Sequence, residues 1–284
     1  MFGVAVLAWA IVLPILLALA LACPREAAAH SDLAEQIAAV TARLEGEPRR
    51  ADLYLKRGEL HRAHRDWALA LADYDRAAVL DPGLASVDLA RAALGLAADT
   101  PGAALAAIDR FLARQPDHAE GRALRARILT RFGRPLEAAE EWARAIAASS
   151  RPRPEYYLER AHALVAADRR VDEALATLDE GIRRLGSVVT LELAAADLEI
   201  ERARYDAALA RVDRLAASAP RKEQWLLQRG EILERAGSAA EAREAFAAAL
   251  RAVETLPEAR RRTRAVEDIE TRSRSALQRL EEKR

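Results

Sequence analysis

His61 and His64 stand three residues apart in "ELHRAH", one helical turn, a spacing that can bring two imidazoles to one metal ion. No third ligand follows at helical spacing and no acid completes the set, so the pair is expected to pack rather than chelate. A third histidine offers a sharper possibility. Cleavage after Ala29 would leave His30 at a mature N-terminus, where amine and ring could together chelate copper if another histidine converged on them. The patterns of enzymes are otherwise absent: no glycine loop to cradle phosphate, no nucleophile elbow, no carboxylate-rich metal loop. The expectation is a protein that is not an enzyme, with no catalytic residue, no metal and no cofactor.

The elements available to position any site are helices. Hydrophobic residues make up 51% of the 284 and charged residues 31%, with 12 Gly and 11 Pro. Ala and Leu dominate the hydrophobic share, the makeup of closely packed amphipathic helices and not of strands. The length leaves room for one large domain or two small ones. Lys plus Arg equals Asp plus Glu at 44 each, so no bulk field draws nucleic acid or an anionic membrane. Arginine outnumbers lysine 41 to 3, but the arginines are scattered evenly, as genomic base composition rather than phosphate recognition would leave them.

Residues 1–22 carry no charged side chain, Cys23 follows, and the chain then turns polar. Residues 1–29 are therefore expected to be a signal peptide or membrane anchor, although no Lys or Arg precedes the apolar run. Three outcomes stay open. "LALAC", residues 19–23, resembles a bacterial lipoprotein signal, in which the cysteine is lipidated, although Ala20 and Leu21 stand in reversed order. Ala27, Ala28 and Ala29 offer a cleavage site before His30. Nineteen apolar residues from Val4 are just long enough to be retained as an anchor. Each outcome exports the rest of the chain to the periplasm or a membrane of a bacterial envelope. Cys23 is the only cysteine, so there is no disulfide and no thiolate metal cage.

Aligning residues 51–84 with 85–118 superposes Ala70 on Ala104, Asp75 on Asp109 and Pro82 on Pro116 without a gap, a period of about 34 residues. Residues 119–152 keep Gly133, Ala138, Trp142 and Ala145 in the same columns. Further units cover 154–188, 189–222 and 223–256, and "LKRG" at Leu55, "LERA" at Leu158 and "LQRG" at Leu227 stay in phase across them. Each unit divides into two apolar-periodic stretches joined by a short break, a helix hairpin. Gly58, Gly230 and the alanine column of Ala70, Ala104, Ala138, Ala208 and Ala242 would let backbones approach, with Trp67, Tyr74, Trp142, Tyr205 and Phe246 filling the remaining space. Residues 31–50 form an N-terminal capping helix and linker, with Ser31 as cap and Leu33, Ile37, Val40 and Leu44 on one face. Pro257 opens a charged capping helix over 257–284, with Val266, Ile269, Leu277 and Leu280 as its buried stripe. The arginine-rich run at 260–264 is expected to be its solvated face.

These units resemble the tetratricopeptide repeat family over about four fifths of the chain. Arg57, Arg160 and Arg229 depart from the family by standing where it usually has leucine, and are expected to find acids. Pro101 and Pro135 replace the aromatic that opens the second helix, and His61 falls in a column that usually carries an aromatic. The resemblance implies an all-α right-handed α-α superhelix, a solenoid of six hairpins with capping helices at both ends. It also implies a groove on the first-helix face that takes a peptide or helix. Candidate groove residues are Leu55, Glu59, Leu89, Ala93, Arg127, Glu155, Glu159, His162, Asp197, Glu201, Glu231 and Glu234. Apolar columns in unit two and acidic ones in units four to six, against Arg235, suggest a partner with a small hydrophobic anchor followed by a basic segment. The Lys and Asn positions with which some members clamp chaperone C-termini are filled by Leu55, Glu59, Leu89 and Ala93. The expected function is an exported, non-catalytic scaffold or adaptor for a protein or peptide partner. Two alternatives are an accessory or weak metal-binding protein of an envelope enzyme system that uses its histidines, and a structural assembly subunit whose groove is filled by a neighbour or by its own C-terminal helix.

Overall fold

The computed structural model describes residues 24–168 and 170–282, and among them are helices and no strand. α1 (Pro24–Gly46) comes first. Six hairpins follow: α2 (Ala51–Ala63) with α3 (Trp67–Leu80), α4 (Ser86–Ala97) with α5 (Pro101–Arg114), and α6 (Ala119–Arg131) with α7 (Pro135–Ala148) are the first three. α8 (Pro154–Ala166) with α9 (Val171–Leu185), α10 (Val189–Glu201) with α11 (Tyr205–Ser218), and α12 (Glu223–Arg235) with α13 (Ala239–Glu254) complete them. α14 (Glu258–Arg261) and α15 (Arg264–Glu282) close the chain. One compact unit ends at Pro116 and holds hairpins one and two; the second begins at Asp117 and holds hairpins three to six.

Each of the six hairpin turns has one residue in the left-handed region, Arg65, Asp99, Gly133, Asp168, Ala203 and Gly237, with φ between 54° and 80°. In hairpin four Arg170 donates to the Leu164 carbonyl at 3.1 Å. In the other five the next amide reaches back to a first-helix carbonyl, as Asp66 does to His61 (2.8 Å) and Ser238 to Leu233 (3.0 Å). This is the Schellman closure, which satisfies carbonyls that the ending helix leaves open. Second helices then start on Pro101 and Pro135, where the missing N–H costs nothing.

The alanine column is fully buried at Ala70, Ala104, Ala138, Ala208 and Ala242. Tyr74, Trp142 and Phe246 are buried beside it, while Trp67 and Tyr205 are half-exposed. The glycines have a narrower role than close backbone approach. A Cβ on Gly58 would lie 2.5 Å from the Tyr74 ring, and one on Gly230 would lie 2.6 Å from the Phe246 ring. Each glycine makes room for the aromatic of its own second helix.

At the N-terminal end, Val40 and Leu44 of α1 pack with Leu53, Tyr54 and Leu60. The helix runs from Pro24, so Ser31 falls inside it and not at its start. At the C-terminal end the charged segment is two helices and not one. Thr263 ends the first by donating its hydroxyl to the Arg260 carbonyl (2.8 Å), and its own carbonyl accepts from Val266 and Glu267 to begin α15. Val266, Ile269, Ala276 and Leu280 of α15 join Leu233, Phe246, Ala249 and Val253 in one core, with Leu277 at its margin. Of the signal or anchor segment, residues 1–23 with Cys23 lie outside the described residues, and residues 24–29 fall within α1.

Two of the arginines in the departing column do find acids. Arg57 forks onto Asp73 at 2.8 and 2.7 Å, and Arg229 meets Asp213 at 2.8 and 2.6 Å. Arg160 does not: its Nε is buried and no protein group accepts from it.

Candidate functional site

First helices of the second unit bring the acidic columns together. α8 carries Glu155, Glu159 and His162 at spacings of four and three residues, which puts them on one face. All three are exposed, as are Asp197 and Glu201 on α10. Between the two helices lies a pocket of about 390 Å³. Ala161, Val165, Ala166, Leu178, Ala194 and Leu198 line it, and His162, Asp197 and Glu201 supply its polar atoms. An apolar pocket with a few convergent polar groups is the form that ligand sites usually take.

Asp197 also borders a smaller pocket of about 100 Å³ against α12, with Ile200, Gln228, Glu231 and Arg235. Its carboxyl is solvent-exposed at the tip but walled on both sides. Burial raises its pKa; Arg235 opposes the rise and Glu201 adds to it, and the net is above the ordinary carboxylate value. The site therefore holds an incompletely compensated negative charge, which a cation from outside would stabilise.

The other candidate residues are placed differently. Glu231 and Glu234 are already engaged by the C-terminal helix, with Arg272 at 2.5 Å and Arg279 at 3.1 Å. In sequence only Arg235 stands near these acids, and the capping segment 257–284 shows its apolar stripe more plainly than its arginines. Arg272 and Arg279 are seven residues apart, two turns of one face, and that spacing was the available signal. Arg127 is exposed and lies over the Trp142 ring, 5.6 Å from its centroid.

In the first unit Leu55, Leu89 and Ala93 are half-buried. Glu59 accepts from the Tyr74 hydroxyl (2.8 Å) and pairs with Arg62 (2.6 Å), so it serves its own hairpin. That unit also has a larger cleft, about 570 Å³, lined by Trp67, Leu71, Leu94, Gly95, Arg91 and Arg110 among others. Its charged groups are committed: Arg110 holds Asp88 at 2.9 Å and Arg91 holds Asp75 at 2.5 Å. It offers apolar surface with its arginines already paired to acids.

Of the two histidines of hairpin one, His64 is bonded to an acid, while His61 lies near two acids without a hydrogen bond to either and leaves its buried Nδ1 without a partner. His64 contacts Asp66 at 2.8 Å, and His61 lies 3.7 Å from Asp66 and 3.9 Å from Asp73. Among the described residues no three His, Cys, Asp or Glu gather as a metal set. No helix among them is long and apolar enough to cross a membrane.

Residues 87–154 and 193–257 match the family model of the tetratricopeptide repeat. These segments carry tetratricopeptide repeats. Solved structures with the same fold include a tetratricopeptide repeat protein from Parabacteroides merdae, 17% identical over 86% of this chain and 93% of its own, with a TM-score of 0.52. YrrB, described as a tetratricopeptide repeat protein with an unusual peptide-binding site, is 18% identical over 64% of this chain and 93% of its own, with a TM-score of 0.51. Pseudomonas aeruginosa PilF is 17% identical over 78% of this chain and 96% of its own, with a TM-score of 0.52. No curated protein is significantly similar to the chain. At these identities the likeness establishes the fold class, all-α and of the α-α superhelix type. Tetratricopeptide repeats generally mediate contacts between proteins and generally serve as non-catalytic scaffolds.

Proposed function

We propose that this chain is a non-catalytic adaptor whose second unit binds a protein segment made of a small apolar anchor and a basic stretch. The observation that carries this reading is the pocket between α8 and α10, apolar inside and bordered by Asp197 and Glu201. An Ala, Val or Leu side chain fits its lining, and a following Lys or Arg would meet the two acids, with Glu155 and Glu159 on the same face of α8. Opposite charges there set orientation and speed encounter more than they add affinity. Export to a bacterial envelope, by a signal or anchor in residues 1–29, is part of the proposal and rests on the sequence alone.

The test is fluorescence anisotropy with a labelled peptide of one leucine followed by lysine and arginine residues. Binding should weaken about tenfold in Asp197→Asn, the effect of losing roughly 1.4 kcal/mol, and should fall with added salt. Affinity should also fall with acid earlier than an ordinary carboxylate would allow. The Asp197 pKa is raised, so its charge is lost as pH drops through a value above the usual carboxylate range near about 4. Equal affinity of wild type and Asp197→Asn at neutral pH would end the proposal.

A further inference from the structure

The repeat places an arginine at Arg57, Arg91, Arg125, Arg160 and Arg229, all in one column of the first helix. Its acids come from two columns of the second helix, counted from the buried alanine. Three residues after that alanine stand Asp73 and Glu141, which take the arginine of their own hairpin: Arg57–Asp73 at 2.7 Å and Arg125–Glu141 at 3.0 Å. Five residues after it stand Asp75 and Asp213, which take the arginine of the next hairpin: Arg91–Asp75 at 2.5 Å and Arg229–Asp213 at 2.6 Å. Arg91 and Arg229 use this second source because their own hairpins offer only Ala107 and Ala245 at the first.

Hairpin four has neither source. Its buried alanine is Ala174, so the first column falls on Thr177, and the preceding hairpin supplies Ala143 in the second. Thr177 gives its hydroxyl to the Glu173 carbonyl at 2.9 Å. Glu180, the next acid along α9, is paired with Arg184 at 3.6 Å, and Asp179 reaches forward to Arg211 at 2.9 Å. On the preceding helix Arg144 is bonded to Glu141. Arg160 is half-buried and its Nε donates to no protein group. A buried guanidinium N–H without an acceptor is costly, and it calls for one.

We propose that Arg160 is a binding point for a carboxylate brought by a partner protein, in the place where the repeat elsewhere supplies its own Asp or Glu. A carboxylate is favoured over other anions because each paired member of the column takes one, and because the planar guanidinium fork matches it. Arg160 is two residues from His162 on α8 and so points away from the acidic face by about 200°. The inference is independent of the pocket described above.

The test follows the side-chain Nε–H resonance of Arg160 by NMR, assigned by its loss in Arg160→Lys. Three capped probes are titrated at constant ionic strength: a tri-alanine with both ends blocked, the same peptide with a free C-terminal carboxylate, and a blocked Ala-Glu-Ala. The expected result is a saturable shift with one or both carboxylate probes and none with the blocked tri-alanine. Shift with the free C-terminus alone assigns a chain end; shift with the glutamate probe assigns a side chain. Ala143→Asp, which restores the missing acid from inside, should abolish the response and raise the melting temperature. No saturable shift with either probe, or an undiminished one in Ala143→Asp, overturns the proposal. Inorganic phosphate saturating where both carboxylates fail overturns it as well.

Discussion

His61 and His64 have the spacing of ligands, yet both sit against acids of their own hairpin. Asp197 and Arg160 carry no motif, and each stands out only through what surrounds it. The turn residues follow the same logic. The breaks at Arg65, Asp99 and Gly133 are legible in sequence, but only glycine announces a left-handed residue by its type; Arg65, Asp99, Asp168 and Ala203 adopt the same geometry because the hairpin imposes it. A β-carbon there costs about 1 kcal/mol. Ala203→Gly should therefore raise stability by up to that amount in urea unfolding, less the entropy of a more flexible unfolded chain. Gly133→Ala should lower it by a comparable amount.

Among elements, α15 is where sequence and structure differ most usefully. Val266, Ile269 and Leu280 were legible as its buried stripe from their spacing, and they are buried. Its break from α14 was not legible, since it depends on the Thr263 hydroxyl and carbonyl. Nor was the use of Arg272 and Arg279 against Glu231 and Glu234, because opposed charges 41 and 45 residues apart leave no periodic signal. The helix thus has two separable roles. Ending the chain at Leu256 would uncover Phe246, Ala249 and Val253, at about 1.5 to 3 kcal/mol for each fully buried aliphatic side chain lost, and should lower the urea midpoint and promote self-association. Replacing Arg272 and Arg279 by Ala together should change stability by less than about 1 kcal/mol, since the pairs are exposed. The same double variant should tighten the basic peptide by freeing two acids, which anisotropy would show.

For the molecule as a whole, the period of 34 made five hairpins legible from the alanine column and the fourth from "LERA" at Leu158, while the division at Pro116 was not legible, as it follows from packing that no column records. How successive hairpins are joined also varies. Hairpins three and four meet through the Trp142 and Tyr156 rings, 5.4 Å apart. Hairpins four and five meet through Asp172 with Arg202 and Arg204 (3.0 and 2.7 Å) and Asp179 with Arg211 (2.9 Å). The Asp172 carboxyl is held below its usual pKa, first by Arg204. A depressed carboxyl adds stability that is present above its unfolded pKa and lost as pH falls through the folded one. Acid should therefore raise amide exchange where hairpins four and five meet before it does so where the Trp142 and Tyr156 rings join hairpins three and four. Equal onset in the two would contradict this account.

The pairing of each arginine with its own hairpin or the one before also bears on how such a chain can lose or gain a repeat. Hairpin five lacks the column arginine, with Ala195 in its place, and instead carries Arg211, which draws on Glu192 and Glu199 of the same hairpin and Asp179 of the one before. Excising residues 189–222 would remove Arg211 with two of its three acids. Asp179, left behind, stands in the same column as Asp213 and would pass to Arg229. Excising hairpin four would take Asp179 from Arg211 and put Ala143 before it, leaving Glu192 and Glu199 of its own hairpin to hold it. The two hairpins thus differ in what their loss would leave behind, a difference written in a few columns of charges.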